Sequence, residues 1–106
     1  MLNNDEILNV INLAKKYPII IKVGIYGSYA RGEQIEASDI DVLFDYDNTD
    51  EDFIIDVMKY INEVSDEFKK LNVNTDINSY RGLMGQSNGR LRKNILKDLV
   101  WLYEKD

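Results

Sequence analysis

The pattern of hydrophobic and polar residues predicts helices and strands that alternate along the chain. Apolar side chains recur at helical spacing over residues 3–17, which predicts an amphipathic helix. Asn4 or Asp5 is a candidate cap for this helix, and Pro18 ends it. Residues 19–26 are rich in β-branched side chains and predict a strand, after which residues 27–32 form a small-residue turn that leads into a short helix.

A second strand is predicted where apolar and acidic positions alternate over residues 39–46. Successive side chains of a strand point to opposite faces, so one face is apolar and the other mostly acidic. The apolar face carries Ile40, Val42 and Phe44, and the opposite face carries Asp39, Asp41, Leu43 and Asp45.

The second half of the chain predicts a long helix, a third strand and a closing helix. Residues 48–50 supply a loop and a candidate helix cap, and residues 54–71 then keep helical spacing. Alternation over residues 73–77 predicts the third strand, and the Gly- and Ser-containing residues 80–88 predict a loop. The closing helix is predicted from Leu91, Ile95, Leu99 and Leu102. This order predicts an α/β (α+β) fold, a small mixed sheet flanked by helices, in one domain spanning residues 1–106.

The amino-acid composition excludes several kinds of catalytic and binding chemistry. The 106 residues include no cysteine and no histidine, which removes disulfides, thiol nucleophiles and imidazole catalysis. The formal net charge of −6 argues against a broad nucleic-acid footprint, which needs clustered basic residues. No apolar stretch is long enough to span a bilayer and no basic-then-apolar leader begins the chain, so we expect a cytoplasmic protein without a membrane partner.

One block of sequence carries specific chemistry: Gly27-Ser28, ten residues, then Asp39-Ile40-Asp41. Two carboxylates at i and i+2 of a strand project from the same face, where they can hold two Mg²⁺ ions about 4 Å apart. Gly27 allows close backbone approach, and Ser28 offers a hydroxyl and amide groups to a phosphate. Arg31 follows Ser28 by three residues and can lie on the same helical face, toward the same phosphates. A chance match, with the two acids merely solvated on an edge strand, is the alternative.

This block resembles the signature of the nucleotidyltransferase superfamily that includes DNA polymerase beta, and most closely its minimal nucleotidyltransferase (MNT) branch of MntA-like antitoxins. The resemblance extends more weakly to the third strand and to the end of the chain. It implies a polymerase-beta-like nucleotidyltransferase fold and a third acid from a later strand, which often accepts the proton of the attacking hydroxyl. Asp76 suits that position, so the expected catalytic and metal-binding residues are Asp39, Asp41 and Asp76, and the expected nucleotide-binding residues are Gly27, Ser28 and Arg31.

The resemblance also implies a function: Mg²⁺-dependent transfer of AMP from ATP to a tyrosine of a cognate HEPN-type toxin, as the antitoxin of a type VII toxin–antitoxin pair. Three alternatives stay open. The protein could neutralise a toxin by covering it without catalysis, modify a small molecule, or serve as a nucleic-acid module. Intact Asp39 and Asp41 weigh against the first, the absence of an evident acceptor-binding domain against the second, and the net charge against the third.

Overall fold

The computed structural model describes residues 3–35, 38–49, 51–85 and 89–105, apart from the side chain of Leu91, and places helices and strands in an α/β arrangement. The helices are α1 (Asn4–Lys16), α2 (Gly27–Arg31), α3 (Phe53–Lys69), α4 (Tyr80–Met84) and α5 (Gly89–Asp98). The strands are β1 (Ile20–Tyr26), β2 (Ile40–Tyr46), β3 (Thr75–Ser79) and β4 (Val100–Glu104). The predicted fold class is confirmed. Within the described ranges, no helix combines the length and the apolar character needed to cross a membrane.

The four strands form one mixed sheet in the order β3-β2-β1-β4. β1 is antiparallel to both β2 and β4, while β3 is parallel to β2. A parallel neighbour needs a crossover connection, and α3 supplies it between β2 and β3. The two edge strands are therefore β3 and β4.

The main core lies between one face of the sheet and the two longest helices, α1 and α3. Its buried members from the sheet include Val23, Ile25, Ile40, Val42 and Phe44, and those from the helices are Val10, Ala14, Tyr60, Val64 and Phe68. At the edge of this core the Tyr17 hydroxyl donates to Glu63 Oε1 at 2.8 Å, which ties the end of α1 to α3.

The opposite face of the sheet carries a smaller apolar cluster of Tyr26, Leu43 and Leu83, against which Trp101 packs. Leu43 is fully buried there, which confirms that it points away from Ile40, Val42 and Phe44. α4 and α5 contribute to this second layer and cover only part of the face. The acidic positions of β2 and β3 lie on the part that remains.

The first helix is capped by Asn3, so the prediction of Asn4 or Asp5 as its cap is wrong. Asn3 Oδ1 accepts from the Glu6 amide at 2.8 Å, and Glu6 Oε1 accepts from the Asn3 amide at 3.2 Å. This reciprocal pair is a capping box, which satisfies two amide groups at once.

The end of the chain also differs from the prediction. α5 stops at Asp98, and Leu102 belongs to strand β4 instead of a closing helix. Val100, Leu102 and Tyr103 pack against the main core and Trp101 against the smaller cluster, with a register shift in the β1–β4 pairing between Trp101 and Tyr103. Pairing with β1 satisfies the backbone groups of this strand. The predicted loop over residues 80–88 begins as helix α4, because the Ser79 hydroxyl accepts from the Gly82 amide at 2.9 Å and caps it. Residues 86–88 and the candidate cap Asp50 lie outside the described residues.

Tyr60 provides a test of the core. Its hydroxyl is buried and finds no hydrogen-bond partner among the described residues, and burial raises the pKa of this phenol. Tyr60→Phe removes an unsatisfied polar group, so we expect the free energy of unfolding to rise by about 1 kcal/mol in urea denaturation. The matched change Tyr17→Phe deletes the bond to Glu63 and should lower it by about 1 kcal/mol. A loss of stability in Tyr60→Phe would contradict this description of the core.

Candidate active site

The predicted phosphate-binding turn begins where β1 ends. Tyr26 is the last residue of β1 and pairs with Asp41 of β2, so Gly27 emerges directly beside that aspartate. Gly27 adopts φ +73°, a conformation that favours glycine. A Cβ atom built on Gly27 would overlap the Asp41 carboxylate. Both the backbone conformation and the close approach of Asp41 therefore require glycine at this position.

Two of the three predicted acids are neighbours in the sheet, and the third immediately precedes it. Asp41 of β2 and Asp76 of β3 are direct partners in the parallel register, so their side chains project from the same face. Asp39 is exposed and comes two residues before Asp41, immediately before β2 begins. The structure thus brings Gly27, Asp39, Asp41 and Asp76 together at one end of the sheet face.

Repulsion among the acids affects the ionisation of Asp41. Burial raises the pKa of the half-buried Asp41 carboxyl, and the negative charges of Asp76 and Asp39 raise it further. The positive charge of Arg31 acts in the opposite direction. An arrangement of like charges that disfavours ionisation is the environment in which a divalent cation is bound most favourably.

The donor set fits magnesium, which prefers carboxylate oxygens and retains several of its waters. Within the described residues, no three acidic side chains are grouped closely enough to hold an ion as they stand. Asp39 and Asp76 are both exposed, so their carboxylates have room to change rotamer. The residues that could hold a cation are therefore Asp41 together with these two.

A tyrosine–asparagine pair borders the acids and was missed by the sequence reasoning. The Asn78 side-chain amide donates to the Tyr26 hydroxyl at 3.0 Å, so the tyrosine reaches from β1 across β2 to β3. Burial raises the pKa of the Tyr26 phenol, the bond from Asn78 lowers it, and Asp76 and Asp41 raise it. Tyr26 also belongs to the apolar cluster with Leu43, so it packs in that cluster while it lies within electrostatic reach of Asp41 and Asp76. The sequence feature that could have identified Asn78 is its spacing, because Asn78 follows Asp76 by two residues and lies on the same face of β3.

Arg31 has other partners than the predicted phosphate. Its Nε lies 3.1 Å from Glu33 Oε2, its Nη1 lies 2.6 Å from Asp98 Oδ2, and these bonds raise the pKa of its guanidinium. The pair with Asp98 ties α2 to the end of α5. Ser28 is half-buried in the first turn of α2, next to Gly27. The nucleotide-binding roles of Ser28 and Arg31 stay predictions.

Comparison with known proteins identifies the family of this chain. The family model described as polymerase beta, nucleotidyltransferase matches residues 9–106. A protein of Methanocaldococcus jannaschii named as a candidate protein adenylyltransferase is 29% identical over 90 residues, which make up 85% of this chain and 83% of that protein.

Solved structures share the fold over nearly the whole chain. A candidate minimal nucleotidyltransferase is 26% identical with a TM-score of 0.63, over 91% of this chain and 88% of that one. A chain of a toxin–antitoxin crystal structure with AMP-PNP has 21% identity and a TM-score of 0.62, over 99% and 76%. A chain from a tri-AMPylated Shewanella oneidensis HEPN toxin in complex with an MNT antitoxin has 16% identity and a TM-score of 0.61, over 98% and 74%. With the family model spanning almost the entire sequence, the chain belongs to the polymerase beta nucleotidyltransferase family.

Proposed function

We propose that this nucleotidyltransferase transfers AMP from ATP to a hydroxyl group, with two magnesium ions held by Asp39, Asp41 and Asp76. The observation that carries the proposal is the half-buried Asp41, pressed between the Gly27 turn and Asp76. Membership of the family and the likeness to a chain crystallised with AMP-PNP support ATP as the substrate.

In the proposed reaction the acceptor oxygen attacks the α-phosphorus of ATP and forms the new P–O bond. The bond to the leaving pyrophosphate breaks, and the proton of the acceptor hydroxyl passes to a carboxylate oxygen of Asp76. The bare backbone of Gly27 admits the triphosphate close to β2, and the Ser28 hydroxyl donates to its oxygens. Bound magnesium would supply charge neutralisation and lower the pKa of the acceptor hydroxyl. Arg31, anchored by Glu33 and Asp98, adds positive charge near the acids.

The acceptor that we propose is a tyrosine of a cognate HEPN-type toxin, which AMP attachment would silence. The protein would then be the antitoxin of a type VII toxin–antitoxin pair. Support comes from the fold shared with a chain of the MNT antitoxin complex, whose HEPN toxin is tri-AMPylated, and from the relative named as a candidate protein adenylyltransferase.

A non-catalytic antitoxin that only covers its toxin is the second candidate. Covering a toxin does not require acids beside a glycine turn, yet Asp41 lies against Gly27 and pairs with Asp76. Asp39 precedes Asp41 by two residues. This placement of intact acids favours the enzyme over the covering protein.

Replacing both Asp39 and Asp41 by Asn should abolish AMP transfer, because the charges that bind magnesium are lost while the shapes are kept. Mass spectrometry of the protein encoded by the neighbouring gene, after incubation with ATP and Mg²⁺, measures the added AMP. Asp47→Asn is the control, because Asp47 is an exposed acid beyond the end of β2. Toxin neutralisation that survives the double substitution would support simple covering.

Gly27 and Gly32 offer a matched pair of glycines. Both have positive φ, +73° and +71°, but a Cβ on Gly32 meets nothing within 4 Å whereas one on Gly27 intrudes on Asp41. Each change to Ala should lower the free energy of unfolding by about 1 kcal/mol through backbone strain, and Gly27→Ala should lower it further because its Cβ would overlap the Asp41 carboxylate. Only Gly27→Ala should also reduce AMP transfer, by at least tenfold. Equal activities of the two variants would show that the approach of Gly27 to Asp41 has no catalytic importance.

Asp41→Asn should stabilise the metal-free protein at neutral pH. The raised pKa means that the ionised carboxylate is disfavoured in the folded state, so its removal should raise the melting temperature. The difference should shrink as the pH falls through the raised pKa of Asp41 and vanish below the ordinary pKa of an aspartate, where the side chain is neutral in both the folded and the unfolded protein. Added Mg²⁺ should stabilise the wild type and leave Asp41→Asn unchanged. A variant less stable than the wild type without metal would contradict this assignment.

A further inference from the structure

Strand β3 has a free edge beside the acidic cluster. Its inner neighbour is β2, and no strand among the described residues pairs with its outer side. The Ile40 amide donates to the Asn74 carbonyl at 2.9 Å, which sets the alternation of backbone groups. Asp76 and Asn78 therefore turn their peptide groups toward β2, while Thr75 and Ile77 turn theirs outward. The outward groups are the kind of template to which another strand can add.

An apolar stripe of α3 lies along the same edge. Ile54 and Met58 are one turn apart on α3 and are 57% and 60% exposed. Glu63 of α3 binds Lys16, the last residue of α1, and Tyr17, which follows it. Ile54 precedes Glu63 by about two and a half helical turns, so Ile54 and Glu63 lie on opposite sides of α3. Since α1 packs over β1 and β4 and α3 packs over β3, the side of α3 away from α1 faces the free edge of β3.

We propose that the β3–α3 edge, defined as the outer edge of β3 together with Ile54 and Met58, docks an extended segment of the protein that accepts the nucleotide. The segment adds to the sheet as a strand beside β3. Its alternate side chains then fall on two faces, one set against the apolar stripe of α3 and the other beside Asp76. A residue aligned with Asp76 would present its hydroxyl to the carboxylate that takes up the proton.

Charge favours the acceptor protein over a second copy of this chain as the partner that binds the β3–α3 edge. The protein carries a net charge of −6, and symmetric pairing of two β3 strands would bring two acidic clusters toward each other. Like charges placed so close oppose association. A segment with apolar residues at alternate positions and flanking Lys or Arg meets both the stripe and the negative field of Asp39, Asp41 and Asp76.

The proposal of this docking surface rests on the proposed function. The experiment is chosen so that failure of the docking surface can be distinguished from failure of the proposed function. Ile54→Lys with Met58→Lys places positive charges in the stripe, against a basic segment, without touching any residue of the site. Leu8→Lys is the control, because Leu8 is similarly exposed at 54% but lies on α1, away from β3. The acceptor is the protein encoded by the neighbouring gene, and AMP transfer is followed at varied acceptor and ATP concentrations.

The double variant should raise the KM for the acceptor protein at least tenfold, with the kcat and the KM for ATP unchanged, while Leu8→Lys behaves as wild type. Hydrogen exchange with a non-hydrolysable ATP analogue present should show slower exchange over Thr75–Ser79 when the acceptor is added. An unchanged KM, or no protection of β3, overturns the docking surface. The docking surface is also overturned if the isolated protein forms a dimer in sedimentation velocity and the double variant is a monomer. If the wild type transfers no AMP, the proposed function fails. Whether the same partner protein, when bound, slows hydrogen exchange in β3 then tests the docking surface by itself.

Discussion

The repulsion among neighbouring carboxylates is the constraint on which the site depends. Asp41 is half-buried on a central strand, with the Gly27 turn on one side and Asp76 on the other. Burial and like charges both raise its pKa, so the arrangement lowers stability unless positive charge arrives. Glycine at position 27 and the parallel pairing of β3 are the two features that make this crowding sterically possible.

The two faces of the sheet have different roles, because one holds the main core and the other carries the acids. One face is covered by α1 and α3 and holds the large apolar core. The other face is covered only in part and carries both the smaller cluster, which includes Tyr26, and the acids. The hydrogen bond from Asn78 to Tyr26 crosses β2 on this face. Strain at the acidic end can therefore be supported by a core that does not take part in the reaction.

Local sequence patterns predicted the placement of Gly27, Asp39 and Asp41 in the fold better than they predicted the end of the chain. Glycine, serine and alternating aspartates are local signals, and strand geometry alone places Asp39 and Asp41 on one face. Strand β4 was missed because Leu102 continues the helical spacing of Leu91, Ile95 and Leu99, and only pairing with β1 decides between helix and strand. The partners of Arg31 depend on Asp98, far away in sequence, so no local pattern could reveal them.

Diffraction from a crystal grown with Mn²⁺ and a non-hydrolysable ATP analogue tests the metal site directly, because anomalous scattering locates the metal independently of the protein atoms. We expect manganese beside the Asp41 carboxylate, shared with Asp39 or Asp76, and the triphosphate against Gly27 and Ser28. Metal and nucleotide bound away from Asp41, or an acidic cluster that stays empty at saturating concentrations of both, would contradict this proposal.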